Sequence, residues 1–235
     1  MSDTSACARR LKDLRNRHAG ERGVVVCNGP SLGKMDLGFL RKETTLATNK
    51  IYLGLNKFRF YPNYYVAINR KVICQSAREI SRLNCPKFIP THSAKYVEPS
   101  PLNYYIDTDN PQVRFSTDLT SQNINEGFTV TSVCLQLAYH LGFEEVIIIG
   151  MDHRYQHSGS PNQNLIMETP DPNHFDPSYF AKGESWDAPD LTQSEVSYQA
   201  ARIAFEAAGR KVIDATINGA CTVFEKEDYR AIFSP

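Results

Sequence analysis

The most chemically suggestive stretch of the chain is Asn28-Gly29-Pro30-Ser31, which follows the β-branched run Val24–Val26. Such a run predicts a strand, and Ser31 is a natural first residue for a helix. Ligands of open α/β sheets bind beyond the carboxyl ends of strands, and the free N–H groups of a helix start favour phosphate. Gly29 allows close backbone approach, while Asn28 and Ser31 can hydrogen-bond a ligand. We therefore predict a strand, a ligand-binding turn and a helix, with a ligand that carries phosphate.

The turn does not match a standard phosphate-binding motif. Gly29, Gly33 and Gly38 do not fit G-x-G-x-x-G, and the sequence contains no G-x-x-x-x-G-K-[ST]. A simple dinucleotide-binding or P-loop assignment therefore loses support. The alternative interpretation is an ordinary strand-to-helix turn whose Asn and Ser side chains only satisfy backbone groups.

Two histidines are candidates for acid–base chemistry. His174 lies within the proline-rich, polar segment 154–192, and His153 comes just after a long apolar run. Histidine suits proton transfer near neutral pH. The alternative for His174 is a hydrogen bond to a nearby aspartate, Asp171 or Asp176, and for His153 it is a local structural contact.

Aspartates offer a second kind of chemistry. Asp152, at the tip of a predicted strand, can bind a ribose hydroxyl, a cation or only a neighbouring N–H group. The tripeptide Asp107-Thr108-Asp109 resembles the Asp-x-Asp clasp with which many nucleotide-sugar enzymes hold a divalent metal. So short a motif is common, and a plain turn is the expected structure for it.

Strands and helices alternate along the chain, which indicates an α/β fold. We predict a Rossmann-like, mostly parallel sheet with helices on both faces, in a single domain spanning 1–235. Apolar spacing and turn residues predict strands at 23–27, 45–48, 64–68, 87–90, 103–107, 145–149 and 211–214, and helices at 5–18, 71–83, 129–141 and 193–208. The segment 154–192 is predicted to be an ordered lid inserted in this domain, because disordered segments are poor in aromatic residues.

Composition excludes some classes of protein. The formal net charge is zero, which disfavours a nucleic-acid-binding protein. The basic N-terminal segment 9–18 can touch an anionic membrane surface, although a solvated helix face is the simpler interpretation. No apolar run is long enough to span a membrane and no secretory signal is evident, while the scattered cysteines fit a reduced compartment. We therefore expect a cytoplasmic protein.

Three pieces of the sequence together resemble a known superfamily. They are Asn28-Gly29-Pro30-Ser31-Leu32, the block from Thr131-Ser132-Val133 to Gly150-Met151-Asp152, and His174. They are similar to the bacterial sialyltransferases that include the Campylobacter lipooligosaccharide enzymes, and to the wider "domain of unknown function 115" proteins. The latter include flagellin-modifying motility accessory factors and an archaeal hydroxymethylpterin pyrophosphokinase. The resemblance covers roughly residues 23–35, 45–52 and 129–156.

The resemblance implies a Rossmann-like domain with a small lid that transfers a sugar from a nucleotide donor, CMP-linked in the sialyltransferases, to a glycan hydroxyl. It implies no essential metal, a lid histidine as general base, here His174, and a homo-oligomer. Tyr155 resembles a tyrosine that contacts the leaving phosphate, and His153 is a rival base or phosphate donor. The residues placed at the nucleotide or donor are Asn28, Gly29, Pro30, Ser31, Asn49, Asn69, Ser132 and Asp152.

Two other functions stay open. A pterin-type pyrophosphokinase would use ATP with magnesium or manganese and would depend on its aspartates. A non-catalytic nucleotide-binding module would need neither His174 nor His153.

Overall fold

Short strands rich in β-branched and aromatic residues form the framework of the protein. A computed structural model describes residues 4–109, 113–156 and 159–234. The strands are β1 (Arg22–Val26), β2 (Thr44–Thr48), β3 (Tyr64–Val66), β4 (Lys87–Pro90), β5 (Asn103–Ile106), β6 (Thr108–Asp109), β7 (Ile124–Asn125), β8 (Glu145–Ile149), β9 (Asn164–Ile166), β10 (Ser185–Asp187), β11 (Lys211–Asp214) and β12 (Glu225–Lys226).

Helices occupy the intervals between the strands. They are α1 (Thr4–Leu14), α2 (Leu55–Phe58), α3 (Arg70–Gln75), α4 (Ala77–Arg82), α5 (Val130–Leu141), α6 (Leu191–Ala207) and α7 (Tyr229–Ile232). Short 3₁₀ segments lie at Pro30–Lys34, Gly38–Lys42, Asn49–Gly54 and Thr91–Tyr96.

One eight-stranded sheet organises these elements, in the order β12-β11-β8-β1-β2-β3-β4-β5. Every neighbouring pair in it is parallel. The chain runs from the central β1 outward to β5 and then returns to β8 on the other side of β1. The expected α/β, Rossmann-like fold with a parallel sheet is thus confirmed, and β1 and β8 flank its topological switch point.

Both faces of the sheet are covered, because successive side chains of a strand point to opposite faces. Val25 of β1 packs in one apolar core with residues of α1, α5 and α6. Val24 and Val26 pack in a second core with the 3₁₀ turns, α3, α4 and aromatic residues of 154–192. Burial on both faces explains why β1 and β8 read as unbroken apolar runs.

Comparison of the predicted and observed helix boundaries shows which helices could be predicted from local sequence. The helix predicted at 129–141 is confirmed, with Thr129 as N-cap and Gly142 in the left-handed conformation that ends it. The helix predicted at 71–83 is instead two short helices that meet at Ser76. The one predicted at 5–18 ends at Leu14, and the segment after Ser31 is one 3₁₀ turn, so a regular helix there was wrong.

The basic N-terminal segment is partly engaged by the fold. The Arg10 guanidinium lies 4.0 Å above the Tyr104 ring. Arg15 forms an ion pair of 3.1 Å with Asp118. Contact of this surface with a membrane stays a prediction. Within the described part of the chain, none of the helices is both long and apolar enough to traverse a bilayer.

Candidate active site

A cavity of about 610 Å³ opens at the carboxyl edge of the sheet, at the switch point between β1 and β8. Its volume is typical of a site for a small organic ligand. The wall is built from the loops that follow β1, β2, β3 and β8, the loop before α5, the segment 154–192 and the first turn of α6. The sheet thus brings residues distant in sequence to one place.

Asn28 and Asn49 present unpaired acceptors in this wall. The Asn28 amide donates to Oγ1 of Thr48 at 2.7 Å and to the Thr48 carbonyl at 3.0 Å. That orientation leaves the Asn28 Oδ1 buried, with no hydrogen bond to any described residue, and the Asn49 Oδ1 is in the same state. A buried acceptor without a donor is costly, so both atoms favour a ligand that offers O–H or N–H groups.

The turn after β1 differs from the phosphate-binding turn predicted from sequence. The backbone N–H of Ser31 donates to Oδ1 of Asp152 at 3.1 Å, and the Ser31 hydroxyl donates to Oδ2 at 2.6 Å. The Asp152 carboxylate therefore occupies the donors expected to hold phosphate. Pro30 and Ser31 are not in the cavity wall, whereas Gly29 and Asp152 are. A ligand contact of Ser31 stays a prediction.

Two longer helices begin at the cavity instead. Thr129 to Thr131 at the start of α5 and Asp190 to Leu191 at the start of α6 belong to its wall. Thr129 and Asp190 cap these helices, each accepting one backbone N–H. The remaining N–H groups and the positive ends of both helix dipoles favour an anionic ligand group here.

Ser132 and Asn69 differ in their position relative to the cavity. Ser132 is buried outside the cavity wall, and its Oγ lies 2.5 Å from where a Cβ on Gly127 would stand. The neighbouring Thr131 lines the cavity in its place. Asn69 does line the cavity, and its Oδ1 caps α3 by accepting the N–H groups of Lys71 and Val72. Ligand contact by Ser132 and Asn69 stays a prediction.

His174 forms a buried dyad with Asp171. Its Nδ1 lies 2.8 Å from Oδ2 of Asp171, whose side chain is fully buried. The Asp171 Oδ1 accepts the N–H of Asn173 at 2.8 Å. The imidazole is stacked in parallel on the Tyr179 ring, with centroids 3.7 Å apart. Carboxylate and ring together fix the orientation of the imidazole in the cavity wall.

This dyad has the chemical character of a general base. A carboxylate accepts hydrogen bonds, so the proton of the neutral His174 ring belongs on Nδ1, facing Asp171. Nε2 is then the basic nitrogen. The carboxylate also stabilises the imidazolium that forms when Nε2 takes a proton. The hydrogen bond to aspartate that the sequence offered as an alternative to catalysis is therefore compatible with such a role, and catalysis by His174 stays a prediction.

Two other groups of the wall stay protonated near neutral pH. Desolvation, followed by nearby negative charge including that of Asp171 and Asp152, raises the pKa of Tyr155 well above its usual range. Burial raises the pKa of the Cys27 thiol to about 12. Tyr155 can accordingly donate a hydrogen bond to an anionic group, whereas Cys27 is not poised as a nucleophile.

His153 lies in the wall in a strained backbone conformation. Its φ is +54°, an uncommon value for a residue with a side chain. Its Nε2 lies 3.1 Å from Oε1 of Glu195, and its ring centroid is 5.8 Å from that of Tyr198. His153 of the cavity wall thus forms a second histidine–carboxylate pair, with Glu195 on α6, which lies outside that wall.

The segment 154–192 is fastened over the cavity from the opposite edge. Lys71 on α3 forms an ion pair with Asp187 of β10. Gln75 donates to the Ser185 carbonyl at 2.9 Å. Aromatic residues of the segment 154–192 pack in the same apolar core as Val24 and Val26 of β1. The described residues of this segment thus make tertiary contacts in addition to the pairing of the short β9–β10 hairpin.

Charge in the cavity wall is mainly negative. The charged residues of the wall are Glu126, Asp152, Asp187 and Asp190 on the acidic side and Lys71 and Arg154 on the basic side. The described residues contain no group of three or more His, Cys, Asp or Glu side chains placed to hold a metal ion. Asp107 and Asp109 lie outside this wall, where Asp107 accepts from Thr91 and Asp109 pairs with Arg114.

Sequence reasoning missed several residues of the wall. Phe128, Lys71 and Asp187 belong to no motif, and only the fold brings them to the cavity. Asp171, by contrast, was named from the sequence as a possible partner of His174, which it precedes by three residues. Such a spacing places a carboxylate within reach of the imidazole in a tight turn.

Comparisons with known proteins agree on the architecture. A solved structure of the MAf glycosyltransferase from Magnetospirillum magneticum AMB-1 matches with a TM-score of 0.56 and 11% sequence identity. The match covers 95% of this chain but only 38% of that protein. At this low sequence identity the likeness is one of fold.

No curated protein matches the sequence. The model of one protein family, 6-hydroxymethylpterin diphosphokinase MptE-like, matches residues 3–158. That match includes the loops after β1 and β8 that form the cavity, and the chain belongs to this MptE-like family.

Proposed function

We propose that this protein is a transferase that moves a group from a nucleotide donor to an acceptor hydroxyl. The observation that carries the proposal is the His174–Asp171 dyad, a buried and oriented base in the wall of a ligand-sized cavity. Removing a proton from a hydroxyl is the step for which such a base is suited. A mere binding module has no need of it.

The favoured reaction is glycosyl transfer from a nucleotide-linked sugar, with a CMP-linked sugar as the first donor to test. The hydroxyl oxygen of a glycan acceptor forms a bond to the anomeric carbon while the bond from that carbon to the phosphate oxygen breaks. His174 Nε2 takes the hydroxyl proton, and the nucleotide leaves as an anion. Tyr155, whose ring contacts that of His174, would stabilise the charge that develops on the phosphate. The sharing of this fold by a solved glycosyltransferase supports the proposal.

The segment 154–192 would act as a lid in this reaction. Water competes with the acceptor for an activated sugar, so a site that excludes water protects the donor. The Lys71–Asp187 ion pair and the buried aromatic residues of the segment support that role. Such a lid would open to admit the donor and close again over His174.

A second candidate is the transfer of diphosphate from ATP, and the family match and the acidic wall favour it. Here the acceptor hydroxyl attacks the β-phosphorus and AMP leaves, with the same base taking the proton. Magnesium would be bound chiefly by the phosphates, with Asp152 or Glu126 as protein ligands. Magnesium dependence separates the two reactions, because the proposed glycosyl transfer requires no metal.

A binding panel is the first test. Thermal unfolding is followed with CMP, CDP, UDP, GDP and ATP, each with magnesium or with EDTA. A ligand that binds the folded state raises the melting temperature by mass action. A shift with CMP in EDTA supports the glycosyltransferase proposal, and a shift confined to ATP with magnesium supports diphosphate transfer. No shift with any nucleotide would contradict both.

Turnover then tests the base. Release of nucleotide from the donor that binds is compared among the wild type, Asp171→Asn and Asp176→Asn. An amide at 171 keeps the shape but removes the charge and the preference for a proton on Nδ1, so we expect kcat to fall about 10³-fold with little change in donor affinity. Asp176, whose Oδ1 accepts from the N–H and the hydroxyl of Ser178, is the matched control. Equal turnover by all three proteins would contradict a catalytic role for His174.

A further inference from the structure

A strained turn precedes α5 at the cavity wall. The Thr129 N–H donates to the Glu126 carbonyl at 3.2 Å, which closes a turn with Gly127 and Phe128 at its centre. Their φ values are +57° and +61°. A turn with both central residues left-handed favours Gly, Asn or Asp at each position. Gly127 obeys this rule, but a bulky phenylalanine at 128 breaks it.

Packing does not explain Phe128. The residue belongs to neither apolar core, and the neighbouring Val130 packs against one of them. Phe128 is 36% exposed although it lines the cavity. Neither backbone preference nor core packing accounts for a phenylalanine at this position. Its side chain is therefore a candidate for contact with a bound molecule.

We propose that the Phe128 ring is the stacking platform for the heterocyclic base of the nucleotide. The inference rests on the proposed function, since it requires that the cavity bind a nucleotide. Base–aromatic stacking needs only an exposed ring face at a polar, ligand-sized cavity. The unpaired Oδ1 atoms of Asn28 and Asn49 supply the hydrogen-bond acceptors that a base or ribose would use.

The position of the reacting group assigns this ring to the base rather than to the transferred group. The rings grouped around His174 are those of Tyr155, Tyr179 and Phe180. The transferred group must lie there, next to the general base. In a nucleotide the base is the end remote from the reacting phosphate. Phe128 belongs instead to the wall at the start of α5 and, among the described residues, makes no ring contact with His174, Tyr155, Tyr179 or Phe180.

The test uses the mismatch between the left-handed backbone conformation of residue 128 and its phenylalanine side chain. Asparagine tolerates the left-handed conformation, so Phe128→Asn relieves the turn while removing the ring. We expect its Kd for the nucleotide with the largest thermal shift to rise about tenfold, with an unchanged or higher melting temperature. Phe128→Tyr keeps the ring and should bind within twofold of wild type. Ribose 5-phosphate, which lacks a base, should bind the wild type and Phe128→Asn equally.

Arg59→Asn is the matched control. Arg59 is exposed, has a φ of +54° and lies outside the cavity wall, so the change relieves a similar conformation without touching the site. Its nucleotide Kd should stay at the wild-type value.

Four outcomes would overturn the proposal. One is an unchanged nucleotide Kd in Phe128→Asn. Another is a rise in the Kd of Phe128→Asn for ribose 5-phosphate that equals its rise for the nucleotide. A third is a melting temperature lowered by more than about 5 °C, because the ring would then be a packing residue. If the wild type binds no nucleotide at all, the proposed function fails as well, which separates that outcome from the other three.

Discussion

Replacement of Gly29 by alanine tests the contact that joins the loops after β1 and β8. Gly29 has φ −67° and ψ 162°, which alanine adopts without strain. Space is the obstacle, because the added Cβ would overlap the Asp152 carboxylate and stand 2.7 Å from the Gly150 carbonyl oxygen. That oxygen would have to retreat by about 0.7 Å to reach ordinary contact at 3.4 Å. A change in stability of Gly29→Ala would therefore report steric overlap rather than backbone strain.

The expected loss follows from what must move. Displacing the Asp152 carboxylate breaks its bonds to the N–H and hydroxyl of Ser31. A hydrogen bond to a charged group contributes about 1.5–3 kcal/mol, and overpacking costs about 1–3 kcal/mol. We therefore expect Gly29→Ala to lower the free energy of unfolding by about 3 kcal/mol or more. Equilibrium unfolding in urea, followed by circular dichroism, measures this loss.

Gly33→Ala is the control on the same 3₁₀ turn. A Cβ there would have no atom nearer than 3.9 Å, and we expect a change within about 0.5 kcal/mol. A double-mutant cycle of Gly29→Ala with Asp152→Ala should show a coupling of at least about 1 kcal/mol, because both changes act on one contact. If Gly29→Ala were as stable as Gly33→Ala, the close approach of these two loops would be refuted.

Three further predictions follow from groups around the site and core. Burial lowers the pKa of His140, so the unfolded state takes up a proton first as the pH falls below about 6.5, and the free energy of unfolding should be lower at pH 5.5 than at pH 7.5. His140→Gln should reduce that difference in urea unfolding. Asp187→Asn removes the ion pair with Lys71 and should increase acrylamide quenching of Trp186, the single tryptophan, while global stability changes by less than about 1 kcal/mol. Ellman's reagent should titrate about one thiol in the native protein, because Cys74 is exposed and the other cysteines are buried.

Each of these has a contradicting result. An unchanged pH dependence in His140→Gln would mean that other groups cause it. Equal quenching of Trp186 in the wild type and in Asp187→Asn would mean that the ion pair does not hold the segment in place. Labelling that persists at the same level in Cys74→Ser would show that a buried thiol is reached in the native state.

The sequence by itself determined the elements whose signals are local. Continuous apolar runs such as Val146–Ile149 predict buried parallel strands, because a sheet covered on both faces buries every side chain of such a run. Thr129 and Gly142 marked both ends of α5 through capping chemistry that acts within a few residues. The position of Asn28 just beyond the end of a strand was predicted in the same way, from the β-branched run before it.

Only the tertiary structure determined which residues of the site contact one another. The fold brings Asp152 to the N–H and hydroxyl of Ser31, 121 positions apart in sequence, so the donors that the sequence assigned to a phosphate form hydrogen bonds with a carboxylate. The start of α6 and the side chain of Lys71 reach the cavity through long-range packing that leaves no local pattern. Hydrogen bonds and burial depend on which segments become neighbours, and a parallel sheet joins segments that lie far apart along the chain. The chemistry of each residue could therefore be read in advance, but its partner could not.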